Sequence, residues 1–198
     1  LNTDHTTLYA EPSDALDLIQ KMPKVYSEPF ADSSQIPTTL LAKLVKDHVK
    51  VALSGDGGDE IFSGYSRYIF ANNSFNLLTK GPPILRKNLS SFFQAINPDL
   101  INKIVKLIKI SRLGDKIYKA SNIMVSEDLE EYYDQLITYW PEKSIIESNS
   151  SFKYKFSENL GPIENMMLAD QLNYLPNDIL VKVDRAAMEN SIEAVSYT

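Results

Sequence analysis

The chain lacks cysteine entirely and has only two histidines among its 198 residues. Without cysteine there is no disulfide, no thiolate ligand for a metal ion and no catalytic thiol. His5 and His48 are far apart in the sequence, and an isolated histidine is more often a surface or structural residue than a metal ligand. These absences exclude thiol chemistry and argue against a histidine metal site.

A basic surplus and a long apolar run are also missing. The 20 lysines and arginines are outnumbered by 26 acidic residues, which gives a net charge of -6, whereas nucleic acid is normally met by a basic surface. No apolar run approaches the roughly 18 residues of a membrane helix, and no charged-then-apolar leader begins the chain. We therefore expect a cytoplasmic protein with no nucleic-acid partner and no membrane partner. Because the first residue is Leu1 rather than Met, we also expect a fragment of a longer chain.

The first 70 residues alternate between strand-like and helix-like patterns. The hydrophobic fraction of 43% is sufficient for one globular domain with a core. Periodicity predicts strands at 6–10 and 49–53, the second of them buried, and helices at 13–22, from 37 and at 60–71. Ser13 is the expected N-cap of the first helix, and Pro23 its expected end. This alternation predicts part of a parallel-sheet α/β unit.

From about residue 71 strand signals become sparse, and the pattern favours helices at 100–110, 127–139, 163–174 and 177–191. Gly81-Pro82-Pro83 is the expected hinge between the two parts. The sequence therefore predicts an α/β portion at 1–70 and a helical portion at 71–198, with helix dominant overall.

A glycine-rich turn connects the predicted strand 49–53 to the helix after it. Gly55, Gly57 and Gly58 permit positive φ and close approach of a ligand, and the turn presents several backbone N–H groups. The following helix would add its positive dipole. Ligands of parallel sheets bind beyond the carboxyl ends of the strands, so the turn is a candidate anion site.

Three carboxylates lie within this turn: Asp56, Asp59 and Glu60. They would repel a bare phosphate but suit Mg²⁺ placed between carboxylates and a polyphosphate. A carboxylate could also direct the attack of an amine. The structural alternative is that Asp59 and Glu60 only complement the dipole of a first helical turn.

A second group of charged residues lies on the predicted C-terminal helix. Lys182 and Arg185 are three residues apart and can reach one side, while Asp178 is placed to pair with Lys182. Two cations facing a polyphosphate would stabilise departing pyrophosphate. The structural alternative is an amphipathic helix with an ordinary surface ion pair.

Together these segments resemble the asparagine synthetase family, in its bacterial, glutamine-hydrolysing form. The resemblance rests on four segments that occur in the family's order along nearly the whole chain: Thr3-Asp4-His5-Thr6, EPFADSSQIPT at 28–38, LSGDGGDEIFSGY at 53–65 and LPNDILVKVDRAAMENSIEA at 175–194.

The resemblance implies a single partial synthetase domain of the adenine nucleotide alpha hydrolase-like fold. The family adenylates the side-chain carboxylate of aspartate with Mg-ATP, and ammonia released from glutamine by a separate glutaminase domain then forms asparagine. By motif position, Ser54, Gly55, Gly57 and Glu60 would contact the nucleotide, Asp56 would occupy the catalytic acid position, and Asp59 would hold Mg²⁺ and pyrophosphate. Arg185, with Lys182 as a second candidate, would contact the leaving pyrophosphate. A homodimer is compatible with the resemblance.

Three departures from the family pattern limit this expectation. The family's first pyrophosphate loop, Ser-Gly-Gly-x-Asp-Ser, is absent, as is the cysteine of the glutaminase half. After Glu193-Ala194 the usual Arg-Val-Pro is replaced by Val195-Ser196-Tyr197. We expect the chain alone to be inactive. Two other readings remain: a relative that adenylates another carboxylate, such as a β-lactam synthetase or an amidotransferase acting on a cell-envelope sugar, and a non-catalytic remnant.

Overall fold

The chain folds into two compact units. The first contains Leu1–Gly64 and Ala169–Thr198, and the second contains Tyr65–Leu168. The computed structural model describes residues 3, 5–7, 9, 11–97, 102, 113–138 and 154–196. The C-terminal segment therefore returns to the N-terminal part of the chain, and the second unit begins at Tyr65.

The elements follow one another in this order: α1 (Pro12–Ile19), α2 (Met22–Tyr26), α3 (Gln35–Val45), β1 (Val51–Leu53), α4 (Gly58–Phe62), α5 (Ser66–Thr79), α6 (Pro83–Ala95), α7 (Leu113–Ile123), α8 (Leu129–Ile137), α9 (Pro162–Leu172), a π-helical turn (Leu175–Ile179), α10 (Leu180–Glu189) and β2 (Glu193–Val195). The described part is thus dominated by helix, as predicted. None of its helices is both long and apolar enough to cross a membrane.

The N-terminal predictions need three corrections. Thr6, Thr7 and Tyr9 are not in a strand, and the other two residues of the predicted strand 6–10 lie outside the described residues. Glu11, not Ser13, caps α1, and its N–H donates to Asp14 Oδ2 at 2.9 Å. Pro23 does not end a helix but lies in the first turn of α2, where its missing N–H costs no helical hydrogen bond.

In the part of the chain that the structure describes, the sheet consists of β1 and β2, which are parallel, with Val51 opposite Glu193 and Leu53 opposite Val195. The predicted strand 49–53 thus begins two residues later than expected. It is also not buried, because Val51 is 50% and Leu53 86% exposed. Side chains alternate between the faces of a strand, and only the Ala52 face of β1 is covered within the described residues.

The described residues of the first unit form two apolar clusters. In one, α1, α2 and α3 bury Leu18, Met22, Val25, Tyr26 and Leu40. In the other, Ala42 of α3, Ala187 of α10 and Ile192 enclose the inner face of the sheet at Ala52 and Ala194. Small side chains at 42 and 187 allow α3 and α10 to lie close to the sheet. This packing fixes α10 and β2 beside β1.

The second unit is built around the buried residues Tyr68, Ala71, Ile123, Tyr132, Tyr133 and Met166. Arg67 stacks its guanidinium 4.0 Å from the centre of the Tyr65 ring and donates through Nε to the Tyr133 hydroxyl at 3.1 Å.

The predicted helix 60–71 is two helices, α4 and α5, because Ser63 adopts φ 59° and ends α4. The helix predicted at 127–139 corresponds to α8, and that at 163–174 to α9. The segment predicted at 177–191 forms the π-helical turn and α10. Of the helix predicted at 100–110, only Asn102 is described, and it is helical.

Candidate functional site

The glycine-rich turn begins where β1 ends, at the carboxyl end of a parallel strand. The main chain of Ser54 continues the pairing, since its N–H donates to the Val195 carbonyl at 2.8 Å. Across the sheet, the N–H of Glu193 donates to the Lys50 carbonyl at 2.9 Å. The C-terminal strand therefore fixes the first residue of the turn, at the edge of the sheet where ligands of parallel α/β folds bind.

The turn presents unused hydrogen-bonding groups. Within the described residues, the backbone N–H groups of Gly55, Asp56 and Gly57 have no acceptor. The Ser54 hydroxyl oxygen is buried and likewise has no partner in this part of the chain. Buried polar groups are almost always paired, so an enclosed hydroxyl beside three free amides has the donor set of an anion cradle.

Gly57 and Gly55 give the turn its shape. Gly57 has φ 86° and ψ -13°, a left-handed conformation that other residues adopt only with strain. Gly57 is the only glycine with positive φ among the described residues, so the freedom expected at Gly55 and Gly58 is not used there. A Cβ added at Gly55 would meet nothing within 4 Å, which leaves open space beside the free amides.

The three carboxylates of the turn differ in their surroundings. Glu60 is only 1% exposed, so its carboxylate is enclosed in the protein and not presented to a ligand in solution. Asp56 is partly exposed and Asp59 exposed. The Asp59 carboxylate lies against Gly64, where an added Cβ would collide with Oδ1 and lie 2.8 Å from Cγ. Gly64 also donates its N–H to the Asp59 carbonyl at 2.9 Å.

These residues fit a magnesium polyphosphate in part. No group of three or more potential metal ligands occurs among the described residues, so this part of the chain contains no dedicated metal cage. Mg²⁺ usually takes only one or two carboxylates and completes its shell with water and phosphate oxygens. Asp56 and Asp59 can supply that share, while the enclosed Glu60 does not add to it.

The helix after the turn is shorter than the sequence pattern predicts. α4 has five residues, and Asp59 and Glu60 lie in its first turn. A helix of this length has a weak dipole and adds little to any attraction for an anion.

Lys182 has a different partner from the one its spacing predicts. Its Nζ lies 3.1 Å from Asp32 Oδ2, and its side chain is only 10% exposed. Asp32 also accepts hydrogen bonds from the Ser34 N–H at 2.8 Å and from the Ser34 hydroxyl. The Lys182 carbonyl accepts from the Tyr26 hydroxyl at 3.1 Å. The charge of Lys182 is therefore already neutralised within the fold.

The two acids near Lys182 shift in opposite directions. Burial opposes ionisation of Asp32, but the hydrogen bonds from Ser34 and the charge of Lys182 outweigh it and lower the Asp32 pKa. Burial, followed by repulsion from Asp32, raises the pKa of Asp178, and the attraction of Lys182 offsets this only in part. Asp178 and Lys182 form no ion pair in the described structure.

Arg185 is one turn further along α10 and is exposed. It forms no ion pair or hydrogen bond with any described residue, so its charge is available to an anion. Neither Arg185 nor Lys182 hydrogen-bonds to residues 54–60 in this part of the chain. The structure thus connects the C-terminal segment to the turn through β2 and Gln171 rather than through the two predicted cations.

Three residues near these groups were not predicted to matter. Asp32 neutralises Lys182, Gly64 accommodates Asp59, and Gln171 donates through Nε2 to the Glu60 carbonyl at 2.9 Å. Asp32 and Gly64 lie within the family-like segments, which was a usable signal. Gln171 has no signal in the sequence, because its partner is a carbonyl 111 residues away.

A pocket of about 560 Å³ lies elsewhere in the first unit, beside α1, α2 and α3. Its walls are mainly apolar, including Met22, Phe30 and Ile36, and Glu28 supplies one carboxylate. It contains none of the predicted site residues.

Comparison with known proteins supports one family. The asparagine synthase family model matches residues 1–195. The "Putative asparagine synthetase [glutamine-hydrolyzing] 2" of Methanocaldococcus jannaschii is 32% identical over 94% of this chain and 35% of its own length. Asparagine synthetase [glutamine-hydrolyzing] 1 of Bacillus subtilis is 27% identical over 98% of the chain and 30% of its own length. No solved structure matches the chain significantly. The chain spans about a third of the length of these relatives, and over that span it belongs to the asparagine synthase family.

Proposed function

We propose that this chain carries part of the nucleotide site of an ATP-dependent ligase that forms asparagine. In this reaction an oxygen of the aspartate side-chain carboxylate bonds to the α-phosphorus of ATP, and the bond from that phosphorus to pyrophosphate breaks. Ammonia then bonds to the acyl carbon. The bond from this carbon to the bridging oxygen breaks, and AMP leaves with that oxygen. The family and its named relatives support this class of reaction.

The observation that carries the proposal is the enclosed Ser54 hydroxyl beside the unpaired N–H groups of Gly55, Asp56 and Gly57. Donors fixed in advance at the end of a parallel strand can stabilise the charge on a polyphosphate without reorganising. We propose that Ser54, Gly55 and Gly57 contact the nucleotide phosphates, and that the two-stranded sheet is part of an adenine nucleotide alpha hydrolase-like fold.

The charged residues would divide the remaining tasks. Asp59, with water and phosphate oxygens, would hold Mg²⁺, which neutralises phosphate charge when bound. Asp56 would act at the acyl centre. Arg185 would meet the leaving pyrophosphate, whereas Lys182, already paired with Asp32, would serve the placement of α10. Glu60 would contribute through the backbone of α4, because its side chain is enclosed.

The rest of the reaction depends on groups outside these 198 residues. We propose that ammonia comes from glutamine through a glutaminase domain, and that the first pyrophosphate loop completes the nucleotide site. This division agrees with the chain's coverage of about a third of its relatives' length.

Calorimetric titration of the 198-residue chain with pyrophosphate and Mg²⁺ tests the site. We expect the wild type to bind and Ser54→Ala to bind roughly tenfold more weakly, because one hydrogen bond to a charged group is lost. Ser91→Ala is the control, since Ser91 is an exposed serine of α6 in the second unit. Equal affinities of wild type and Ser54→Ala would refute the role of the hydroxyl.

The acceptor carboxylate needs a second experiment. ATP–pyrophosphate exchange would be measured in a polypeptide that joins this chain to the remaining synthetase segments, with aspartate and with other carboxylates. Exchange that depends on aspartate is expected. Exchange driven only by another carboxylate would identify a different member of the family.

A further inference from the structure

The glycine-rich turn is held at both ends by the C-terminal segment of the first unit. At its start, the Ser54 N–H donates to the Val195 carbonyl at 2.8 Å. At its far end, Gln171 Nε2 donates to the Glu60 carbonyl at 2.9 Å. The second contact is made by a side chain, so substitution can remove it without altering the backbone of the sheet.

The end of α4 explains why the Glu60 carbonyl accepts from a side chain. In a regular helix this carbonyl would accept from the N–H four residues later, which belongs to Gly64. Here the Gly64 N–H donates to the Asp59 carbonyl instead, as does the N–H of Ser63. The Glu60 carbonyl therefore does not receive the helical hydrogen bond from Gly64, and the Gln171 side chain donates to it instead.

Such a bond matters more for α4 than for a long helix. Isolated helices shorter than about 12 residues are marginal in water, and α4 has five. Tertiary contacts must therefore hold it. Because α4 follows directly on Gly55, Asp56 and Gly57, any movement of α4 also moves the free amides and the Asp59 carboxylate.

We propose that Gln171 is a positioning residue of the anion site: its side-chain amide holds α4 and so keeps the turn in place before the ligand arrives. This inference rests on the proposed function, because that function makes the turn an anion site. The effect of Gln171 on the turn itself can be measured without any ligand.

The test uses three variants of the 198-residue chain. Gln171→Leu removes the donor at similar size, and Gln171→Lys restores an N–H donor on a longer side chain. Gln35→Leu is the matched control, because Gln35 Nε2 makes the same type of bond, to the Phe30 carbonyl at 2.9 Å, within the same unit.

Amide hydrogen exchange of the ligand-free chain is the first readout. Gln171→Leu should raise exchange over residues 54–62 and leave the rest of the first unit unchanged, and Gln171→Lys should restore protection. Gln35→Leu should leave 54–62 unaffected. Unchanged exchange at 54–62 in Gln171→Leu, or an equal rise throughout the first unit, would overturn the proposal.

Titration with pyrophosphate and Mg²⁺ is the second readout. We expect Gln171→Leu to weaken binding about three- to tenfold, the range that one hydrogen bond supports, with recovery in Gln171→Lys. If the wild-type chain binds no pyrophosphate while the exchange pattern is as expected, Gln171 positions the turn but the proposed function fails for this chain. Pyrophosphate binding that is unaffected by a loosened turn would overturn the role of Gln171 in the site.

Discussion

Single residues of this chain take their roles from their surroundings more than from their chemical type. Lys182 and Arg185 look equivalent in the sequence, yet one is paired with Asp32 and the other is exposed without a partner in the described structure. Asp59 and Glu60 are adjacent carboxylates, yet one is exposed and the other enclosed. For an anion site, the useful residues are those whose charge or hydrogen bond is not already taken.

Gly64 offers a test of Asp59 that leaves its carboxylate intact. We predict that Gly64→Ala weakens magnesium-dependent pyrophosphate binding about tenfold, because the new methyl group displaces the Asp59 carboxylate. Calorimetric titration with and without Mg²⁺ measures the effect. Gly81→Ala is the control, since its Cβ would meet only the Leu78 carbonyl at an ordinary 3.6 Å. If Gly64→Ala binds as the wild type does, Asp59 does not hold the metal.

Arg185 should matter for binding and not for stability. We predict that Arg185→Ala lowers pyrophosphate affinity about tenfold while thermal unfolding stays within about 0.5 kcal/mol of the wild type, as for most exposed substitutions. Lys46→Ala, which removes an exposed cation at the end of α3, is the matched control. A large loss of stability in Arg185→Ala would show instead that Arg185 is structural.

At the level of secondary structure, Lys182 anchors α10 through both its side chain and its backbone carbonyl. Asp32 binds the side chain of Lys182, and the Tyr26 hydroxyl binds its carbonyl. Tyr26 is itself buried and stacks on Phe30 with ring centres 4.8 Å apart. Since α10 leads directly into β2, and β2 pairs with β1 and Ser54, this anchorage reaches the glycine-rich turn.

The anchorage should make stability depend on pH. The pKa of Asp32 is lowered in the folded state, so its stabilising effect is complete above its ordinary pKa of about 4 and is lost as pH falls through the lowered value. We predict that Asp32→Asn costs about 1–2 kcal/mol at pH 7, a modest value because Asp32 keeps 18% exposure and the pair is screened.

Denaturant unfolding between pH 2 and pH 7 measures this dependence. The difference between wild type and Asp32→Asn should shrink toward acid pH. Asp17→Asn, at an exposed carboxylate of α1, controls for general effects of acid on the chain. A difference that stays constant with pH would mean that the charge of Asp32 does not stabilise the fold.

At the scale of the whole molecule, the chain forms two units and spans about a third of the length of its relatives. The first unit contains the turn, Asp32 and α10, all of the residues proposed for the nucleotide site. Among its described residues the sheet has two strands, and the Val51 and Leu53 side chains are largely exposed.

We predict that the purified 198-residue chain catalyses no aspartate-dependent ATP–pyrophosphate exchange, because the first pyrophosphate loop is not among its residues. The assay uses radiolabelled pyrophosphate and Mg-ATP, with a complete asparagine synthetase as the positive control. Exchange above background that requires aspartate would show that the chain suffices for adenylation.

Features of the fold that depend on residues close together in the sequence were predicted better than the others. The helices at 129–137 and 162–172 were predicted well, since apolar periodicity and helix caps are local properties. The break at Ser63 was missed, because it depends on a left-handed residue that is not glycine. Pro23 was misread as a helix end because a proline that stops one helix can equally begin another.

Motif order, periodicity and glycine content are properties of the linear chain, so they were enough to identify the family, the helical character and the position of the turn at the end of a strand. Which charges are free among the described residues follows only from the folded chain. Asp32 and Lys182 are 150 residues apart, and Gln171 and Glu60 are 111 apart. Pairing over such distances depends on packing in three dimensions, and it separates the available Arg185 from the neutralised Lys182.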